Sequence, residues 1–420
     1  MTKLTYLVAL VDGGGTVPVE LGVVRRLVER GHDVTVLAED SMADDVRASG
    51  ATFRRWVEAP NRANRLPEHD PYRDWECKSP RQLFARMLEK QFAGPLRRYA
   101  ADLDAAIGAR RPDVVLCAQF AFGAMVAAEA AGIPFDVLMP NVYLLPTDGA
   151  TPFGLGLRPA RGAPGRARDR FVRSMTHRMW DKGLQTLNTV RTERGLEPLD
   201  HFMDQPTRAR WLWLLTSPEF DFPTHLAANV RYAGPVLDDP NWATDDWTPP
   251  PGDDPLVLVG LSSTYQDHGA TLQHIVDALA TLPVRAIMTT GPALDAGSIA
   301  GASNVVVVPS APHRQVLEHA AVVVTHGGHG TVVKALAAGV PLVVLPHGRD
   351  QLDNAVRVTS RGAGVKLKRT ATAIQIARAV STVLADPAYR ESATLLGAAI
   401  RRDADNSTLI DELDALPTSV

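Results

Sequence analysis

The sequence predicts an α/β protein with two doubly wound, Rossmann-like domains that face a central cleft. In both halves of the chain, short apolar runs alternate with amphipathic helical segments, a pattern typical of parallel sheets. At 420 residues, the chain is also longer than one ordinary hydrophobic core accommodates. A stretch rich in proline and aspartate at residues 238–255 has no apolar periodicity and marks the boundary between the halves.

These features predict four segments along the chain. An N-terminal domain covers residues 1–237, and a linker covers 238–255. A C-terminal domain covers residues 256–402, and a C-terminal helix at 403–420 is expected to pack back on the N-terminal domain. The ligand site is expected in the cleft between the two domains.

The N-terminal domain is predicted to begin with a strand at residues 4–11, an amphipathic helix at 19–30 and a second strand at 33–37. The later elements predicted there are helices at 81–97, 99–109 and 122–131, and strands at 113–117 and 135–139. Prolines and charges at residues 57–80, and Pro, Gly and Arg at 145–168, predict two long loops. Long loops in compact domains are often functional.

The C-terminal domain shows the same alternation. Its predicted elements are strands at residues 256–261, 284–289, 304–308, 321–325 and 341–345, and helices at 272–281, 313–320 and 331–338. The last two of these strands lead into the residues that say most about function.

The composition is that of a globular protein and excludes several classes of function. With 45% hydrophobic and 22% charged residues, the chain is not predicted to be disordered. The net charge of −3, and the lack of a reading motif near the arginines of residues 158–178, argue against nucleic-acid binding. Cys77 and Cys117 have neither metal-ligand nor redox spacing, which favours a reduced, cytoplasmic protein. No apolar run approaches about 18 residues and residues 1–11 lack a cleavage site, so neither a membrane span nor a signal peptide is predicted.

The most informative motif runs from His326 to Thr331 and reads His-Gly-Gly-His-Gly-Thr. A buried strand leads into it and a helix follows it, so the glycines are expected to form a turn at a helix N-terminus. Unpaired backbone N–H groups and the helix dipole favour an anion there, and the missing Cβ atoms let a diphosphate approach closely. Asp350, Gln351 and Asn354 follow the next strand, and their carboxylate and carboxamide groups suit sugar hydroxyls.

With this motif, the chain resembles a family 1 glycosyltransferase of the GT-B fold, and the resemblance extends over its whole length. It is similar to the actinobacterial branch of that family, which modifies macrolides, aromatic polyketides and enediynes. The resemblance also includes residues 9–37 as a first βαβ unit and the segments 230–236, 289–292 and 310–313. It implies an enzyme that needs no cofactor and takes a nucleoside diphosphate sugar as its co-substrate.

The resemblance assigns donor-binding roles to matching positions of the C-terminal domain. The residues expected at the phosphates are His326, Gly328, Gly330, Thr331 and Asn354. Asp350 and Gln351 are expected at the sugar, and Ser310 and Ala311 at the base. The loop expected to close the site contains Ser262, Ser263 and Thr264. His329 and His347 match no fixed ligand position and are interpreted as structural. Asn354 has the alternative of capping the helix that follows it.

Lys334 stands where many relatives have a glutamate that accepts hydrogen bonds from both ribose hydroxyls. A nucleotide without the 2′-hydroxyl loses less by that replacement, which favours a thymidine diphosphate sugar over a uridine one. The alternative is a solvated lysine on a helix face, which says nothing about the donor.

The dyad that acts as base in most relatives, a histidine held by an aspartate, is missing. Thr16 occupies the histidine position, and the aspartate position falls at or next to Ala118 and Gln119. A threonine hydroxyl is too weakly basic to act alone at neutral pH, so Thr16 is expected to orient the acceptor. Asp12 in the same loop is the candidate base, and a local Asx-type turn contact is its alternative. Weaker candidates are Asp136, Asp74 and Glu76.

A metal site is not predicted. The carboxylate pairs Asp102 and Asp104, and Asp403 and Asp405, have the spacing that metal-dependent glycosyltransferases use, but both pairs are interpreted as exposed helical faces. The GT-B resemblance also implies a metal-free site.

The sequence therefore predicts an inverting hexosyltransferase that moves a deoxysugar from a thymidine diphosphate donor to a hydrophobic natural-product aglycone in antibiotic biosynthesis. Loops within residues 57–80 and 140–180 are expected to bind that acceptor. Two alternatives stay open: a non-catalytic glycosyltransferase-like activator, favoured by the missing dyad, and another GT-B enzyme that acts on nucleotide sugars, such as an epimerase. The oligomeric state is also open, with a homodimer among the alternatives.

Overall fold

The computed structural model describes residues 3–241, 243 and 247–415. Residues 1–2 and 416–420 of the predicted terminal segments, and residues 242 and 244–246 of the predicted linker, lie outside these ranges. The described residues form two parallel sheets of seven and six strands. No helix among them has the length and apolar character needed to cross a membrane.

The first sheet and its helices come from the N-terminal half. The strands are β1 (Thr5–Ala9), β2 (Asp33–Ala38), β3 (Thr52–Arg55), β4 (Val114–Ala118), β5 (Phe135–Met139), β6 (Leu212–Leu214) and β7 (Val230–Tyr232). The helices are α1 (Val17–Glu29), α2 (Ala43–Ala48), α3 (Pro80–Met87), α4 (Leu96–Ala109), α5 (Phe122–Ala130), α6 (Gly162–Trp180) and α7 (Leu184–Thr192). The strand order is β3-β2-β1-β4-β5-β6-β7, with every pair parallel. Since the order reverses between β1 and β4, their carboxyl ends flank a crevice of the kind that binds ligands.

The second sheet has the same design. Its strands are β8 (Leu256–Gly260), β9 (Arg285–Thr289), β10 (Val305–Val308), β11 (Ala320–Thr325), β12 (Leu342–Val344) and β13 (Gly364–Lys366). The helices are α8 (Gly269–Leu279), α9 (His313–His319), α10 (His329–Ala337), α11 (Gln351–Ser360), α12 (Ala373–Ala385), α13 (Pro387–Asp405) and α14 (Leu409–Asp414). The strand order is β10-β9-β8-β11-β12-β13, again parallel throughout. Its crevice lies between the carboxyl ends of β8 and β11.

The last helix returns to the first sheet. Leu409 and Leu413 of α14 belong to the hydrophobic core around that sheet. The Tyr6 hydroxyl donates a hydrogen bond to the Leu413 carbonyl at 3.0 Å. This packing joins the end of the described chain to its beginning.

Most predicted elements are confirmed within a few residues, but two stretches were predicted wrongly and several elements were not predicted. The elements without a prediction are α2, β3, α7, β6, α11, β13, α12 and α13. The helix predicted at 81–97 ends at Met87 and continues as a π turn at Leu88–Phe92, before α4 begins at Leu96. A Cβ on Gly94 would lie 1.8 Å from the Glu89 carbonyl, so only glycine fits behind that turn. Part of the predicted loop at 145–168 is helical, since α6 begins at Gly162.

Candidate functional site

The crevices of the two sheets face each other. A Cβ on Gly14, in the loop after β1, would lie 2.7 Å from Thr264 Cγ2 and 2.9 Å from Ser263 Oγ, in the loop after β8. A Cβ on Gly330, in the first turn of α10, would lie 3.5 Å from the Gly15 carbonyl oxygen. A cavity of about 150 Å³ lies between these loops and is lined by residues from both halves.

The cavity brings together most of the predicted donor residues. Those that line it are Ser262, Ser263, Ser310, Ala311, His326, Gly328, Gly330, Thr331, Asp350 and Gln351. Thr16 lines it from the opposite half. Asn354 and Thr264 do not line it, because both side chains lie behind the residues that do.

The glycine turn has the predicted form. The chain leaves β11 at Thr325, turns at Gly327 with φ of 96°, and enters α10 with Gly328 at the N-cap. A Cβ on Gly327 would lie 2.7 Å from Val344 Cγ1, and one on Gly328 would lie 2.9 Å from His326 Nε2. Larger residues would therefore push the turn or the imidazole out of place. The first turn of α10 has no side-chain cap at Gly328 and borders the cavity, so its backbone N–H groups are suited to bind an anion.

Asp350 and Gln351, the residues predicted to hold sugar hydroxyls, are fixed by hydrogen bonds within the protein. Gln351 Oε1 accepts hydrogen bonds from His347 N at 2.6 Å and Gly348 N at 3.0 Å, and its Nε2 donates to Gln266 Oε1 at 3.0 Å. Asp350 lies at the N-cap of α11 and is half-buried, and desolvation raises the pKa of its carboxyl. Both side chains are thus fixed in place at the cavity wall.

Asn354 stabilises the glycine turn at Gly327 from the side away from the cavity. Its Nδ2 donates to the Gly327 carbonyl at 2.9 Å and to Asp350 Oδ2 at 2.7 Å. The helix-capping alternative is wrong, because Asn354 lies inside α11 and the N-cap is Asp350. Its predicted place at the diphosphate also needs correction, since the side chain is fully buried away from the cavity.

Desolvation keeps the histidines that line the cavity neutral, because it lowers their pKa values. Burial lowers the pKa of His326 well below its ordinary value, and His347, His268 and Arg349 lower it further. His329 also lines the cavity, and its Nδ1 lies 3.3 Å from Asn354 Oδ1, while its Nε2 has no partner among the described residues. His347 does not line the cavity, in keeping with a structural role. The imidazoles therefore offer N–H groups rather than positive charge.

Lys334 is not a solvated lysine, so that alternative is wrong. Its Nζ lies 2.8 Å from Asp239 Oδ1, and its side chain is only 12% exposed. Burial opposes ionisation of Asp239, but Lys334 and the backbone N–H of Arg314 outweigh it and lower the pKa of that carboxyl. Asp239 was missed in the sequence because it lies in a linker without a motif.

Arg349 also escaped prediction. It lines the cavity, donates from Nη1 to Thr264 Oγ1 at 2.9 Å, and pairs through Nη2 with Asp74 Oδ2 at 2.8 Å. Asp74 comes from the segment 57–80 of the first half, so this ion pair crosses the cleft. The sequence carried no signal for a pair between residues so far apart in the chain.

Asp12, the predicted base, has the geometry of its structural alternative. Its Oδ1 accepts from Gly14 N at 2.9 Å, which is an Asx-type contact. Its Oδ2 accepts from Ser41 Oγ and Arg65 Nε, both at 2.8 Å. Burial opposes ionisation, but Arg65, Arg62 and Ser41 prevail and lower the pKa of the carboxyl. A carboxylate so fully bonded, and absent from the cavity wall, is poorly suited to accept a proton.

Thr16 and Glu20 stand at the same edge. Thr16 is the N-cap of α1, yet its side chain makes no capping hydrogen bond. Glu20 lies one helical turn later, is 1% exposed, and leaves its Oε2 without a partner among the described residues. Burial raises the pKa of Glu20 well above its ordinary value, the hydrogen bond with Thr16 opposes this, and the charge of Asp12 adds to it. The four-residue spacing from Thr16 is the signal that could have identified Glu20.

The other base candidates are engaged elsewhere. Asp136 is fully buried and binds Arg210 at 2.6 Å and the Trp213 indole N–H at 2.9 Å. Glu76 pairs with Arg86 at 2.9 Å, and Asp74 with Arg349. Ala118 is the last residue of β4, and the side-chain oxygen of the following Gln119 is buried without a partner in the described part of the chain.

The carboxylate pairs considered for a metal lie away from the cavity wall. Asp102 is buried rather than exposed, because it accepts hydrogen bonds from the backbone N–H groups of residues 57–59. The described residues do contain one group with metal-ligand geometry, His177, Asp181 and His201, whose ligand atoms lie within 4.8 Å of one another. None of these three lines the cavity.

Known proteins share both the sequence pattern and the fold. Residues 176–409 match the family described as UDP-glucoronosyl and UDP-glucosyl transferase. The chain is 30% identical to 4'-demethylrebeccamycin synthase from Lentzea aerocolonigenes, over 98% of each protein. It is similar to the solved structure of the glycotransferase of kitacinnamycin, with a TM-score of 0.76, 24% identity, and coverage of 99% of this chain and 100% of that one. For the spinosyn rhamnosyltransferase SpnG complexed with thymidine diphosphate, the TM-score is 0.69 and the identity 19%, over 98% of this chain and 100% of that one. These likenesses confirm the predicted GT-B fold.

Proposed function

The chain belongs to the UDP-glucoronosyl and UDP-glucosyl transferase family, and we propose that it glycosylates a hydrophobic natural product. The proposed reaction transfers a sugar, with inversion and without a metal ion, from a nucleoside diphosphate to the aglycone. The similarity to 4'-demethylrebeccamycin synthase supports this class of product.

The observation that carries the proposal is the glycine turn before α10, opposed across the cleft by the loop after β1. The turn, His326 and the helix N-terminus offer N–H donors to a diphosphate, and Asp350 and Gln351 offer oxygen and nitrogen atoms to sugar hydroxyls. Donors aimed at the diphosphate stabilise the charge that develops on the leaving group. We therefore assign the donor to residues 256–402 and the acceptor to residues 1–237.

Exposed apolar side chains support a hydrophobic acceptor. Eight large hydrophobic residues are exposed among the described residues, and five of them lie within segments 57–80 and 140–180. They are Val57, Leu66, Leu155, Phe171 and Met175. Exposed apolar groups that collect in a few segments are typical of binding surfaces.

The donor is proposed to be a thymidine diphosphate sugar. Lys334 is tied to Asp239, so the helix face of α10 offers no free carboxylate to a ribose 2′-hydroxyl. The structural relative SpnG was solved with thymidine diphosphate. A deoxyribose nucleotide is the partner that best suits this face.

The test is incubation of the purified protein with thymidine and uridine diphosphate sugars and a panel of polycyclic and macrocyclic aglycones. Nucleoside diphosphate release and product mass are followed, and the anomeric configuration is read by NMR. An inverted glycoside formed faster from thymidine donors is expected. A retained configuration, or faster use of uridine donors, would contradict those parts of the proposal.

The missing histidine–aspartate dyad favours one other candidate, a non-catalytic activator of a second transferase. Such a protein would bind nucleoside diphosphate without releasing it from a donor sugar, whatever the acceptor. Calorimetric binding of thymidine diphosphate together with no turnover across the panel would support that candidate instead.

A further inference from the structure

Glu20 is a buried acid that the fold leaves without a full set of partners. Buried polar atoms in proteins nearly always have a hydrogen-bond partner, and an unpaired carboxylate oxygen is costly. Glu20 is only 1% exposed, yet its Oε2 has no hydrogen-bond partner among the described residues. An unsatisfied acid at the edge of a ligand site calls for an explanation in function.

Thr16 connects this acid with the cavity. It lies four residues before Glu20, which puts both side chains on one face of α1. Thr16 lines the cavity and makes no capping bond, and its hydroxyl is near enough to the Glu20 carboxyl to lower the pKa of that group. A Cβ on Gly13 would lie 2.7 Å from Thr16 Oγ1, so glycine at this position leaves room for the hydroxyl.

We propose that Glu20 receives the acceptor's proton through the Thr16 hydroxyl, so that this pair replaces the missing dyad. The inference rests on the proposed glycosyl transfer. As the acceptor oxygen or nitrogen bonds to the anomeric carbon, its proton passes to Thr16 Oγ1, and the proton of Thr16 passes to Glu20. The bond from the anomeric carbon to the diphosphate breaks, and the nucleoside diphosphate leaves with the bonding electrons. Thr16 is regenerated, and Glu20 ends as a carboxylic acid.

The surroundings of Glu20 suit a proton acceptor. The charged group that acts on it is Asp12, from the loop after β1. The Asp12 carboxylate accepts from Arg65 Nε, and the Asp12 backbone N–H donates to Glu39 Oε1 at 2.9 Å. The neighbouring carboxyl ends of β4 and β5 carry the uncharged Gln119 and Asn141. Burial and the Asp12 charge both raise the pKa of Glu20, which makes its carboxylate a stronger base than an exposed one.

The contrast with Asp12 separates the two acids. Asp12 accepts from three side-chain or backbone donors and does not line the cavity, whereas Glu20 keeps one oxygen free beside a residue that does. Glu20 does not itself line the cavity, so it acts through Thr16 and is a positioning and relay residue.

The experiment compares Glu20→Gln, Thr16→Val and Thr16→Ser in the full-length protein, with the donor and acceptor that turn over in the panel above. Loss of a positioned base slows transfer by about 10²–10⁴-fold, so kcat should fall by that order in Glu20→Gln and Thr16→Val. Thr16→Ser should retain most of the rate, and the double variant should be no slower than either single one. Thymidine diphosphate affinity, measured by calorimetry, should stay unchanged throughout. Glu29→Gln, an exposed glutamate of the same helix, is the matched control and should behave as wild type.

The pH profile distinguishes a relay from a structural role. Glu20 must be ionised to accept a proton, so the wild-type rate should fall as the pH falls through its raised pKa, and Glu20→Gln should lose that limb. The loss caused by the variant should also shrink for phenols relative to alcohols, because phenols need less help from a base. Because an ionised buried acid costs stability above its raised pKa, the glutamine variant should melt no lower than wild type at pH 8.

A wild-type rate and pH profile in Glu20→Gln would overturn the relay and leave glycosyl transfer standing. If Glu20→Gln does not fold, equal rates for Thr16→Val and Thr16→Ser would overturn it in the same way. Failure of the wild-type protein to turn over any donor would instead count against the proposed function.

Discussion

The two sheet edges that meet at the cleft carry opposite chemistry. The second edge holds partly or fully buried imidazoles whose pKa values desolvation lowers, a helix N-terminus and Arg349. These histidines are His268, His313, His326, His329 and His347. The first edge holds buried carboxyl groups, Asp12, Glu20 and Glu39. In the proposed reaction, the N–H donors of the second edge would bind the diphosphate, and a carboxylate of the first edge would accept the proton.

The edges differ as well in the polar atoms that lack a partner among the described residues. On the donor side, Gln351 and Asn354 are bonded to the protein, while Nε2 of His268 and Nε2 of His329 have no partner. On the acceptor side, oxygens of Glu20, Gln119 and Asn141 are buried without partners among the described residues. An edge of unpaired oxygens is complementary to a ligand that donates O–H or N–H groups.

Among the substitutions on the donor edge, His326→Ala is expected to have the largest effect on kcat, and it tests the different roles of the two edges. Removing one donor from developing negative charge costs about 10²–10³-fold in kcat. Because the imidazole is on the donor side, thymidine diphosphate affinity should fall together with the rate, unlike in Glu20→Gln. Steady-state kinetics and calorimetry on both variants provide the measurement. His274→Ala, an exposed histidine on α8, is the control. Unchanged affinity and rate in His326→Ala would break the division of roles between the edges.

The donor half could be predicted because its signal is local. The strand, the glycine turn and the start of α10 occupy consecutive residues, and the chemistry of a helix N-terminus follows from the backbone alone. The acceptor half depends on contacts between distant segments. Whether Asp12 was a base or a turn contact is decided by Arg65, which no pattern connects to it.

Two further misses have local physical causes. The composition of residues 145–168 suggests a loop, yet Pro164 lies in the first turn of α6, where a missing N–H costs little. Glu20 looks like an ordinary polar residue of an amphipathic helix, and only its spacing from Thr16 sets it apart. Its burial depends on the packing of α1 at the sheet edge, which the sequence does not specify.

A second test contrasts the two acids of the first edge. Asp12→Asn removes the charge that pairs with Arg65, and breaking a buried ion pair costs about 3 kcal/mol or more. Arg65 keeps a contact with Asp45 at 3.1 Å, so a loss near the lower end is expected in urea unfolding. Because the pKa of Asp12 is lowered in the fold, this loss should be complete above about pH 4 and disappear as the pH falls further. Normal stability with a lost kcat would return the role of base to Asp12.

The smallest effect concerns the nucleotide, at the outer end of the donor edge. Combining Lys334→Glu with Asp239→Asn replaces the present ion pair by one carboxylate on α10 that can accept from a ribose 2′-hydroxyl. A hydrogen bond to a charged group contributes about 1.5–3 kcal/mol, so the affinity for UDP relative to thymidine diphosphate should rise by about tenfold or more. Calorimetry with both nucleotides gives the ratio. Lys334→Met together with Asp239→Asn removes the pair without adding an acceptor, and it should weaken both nucleotides alike. If the glutamate variant leaves the ratio unchanged, this helix face does not contact the ribose, and the choice of nucleotide must be made by the base segment at Ser310 and Ala311.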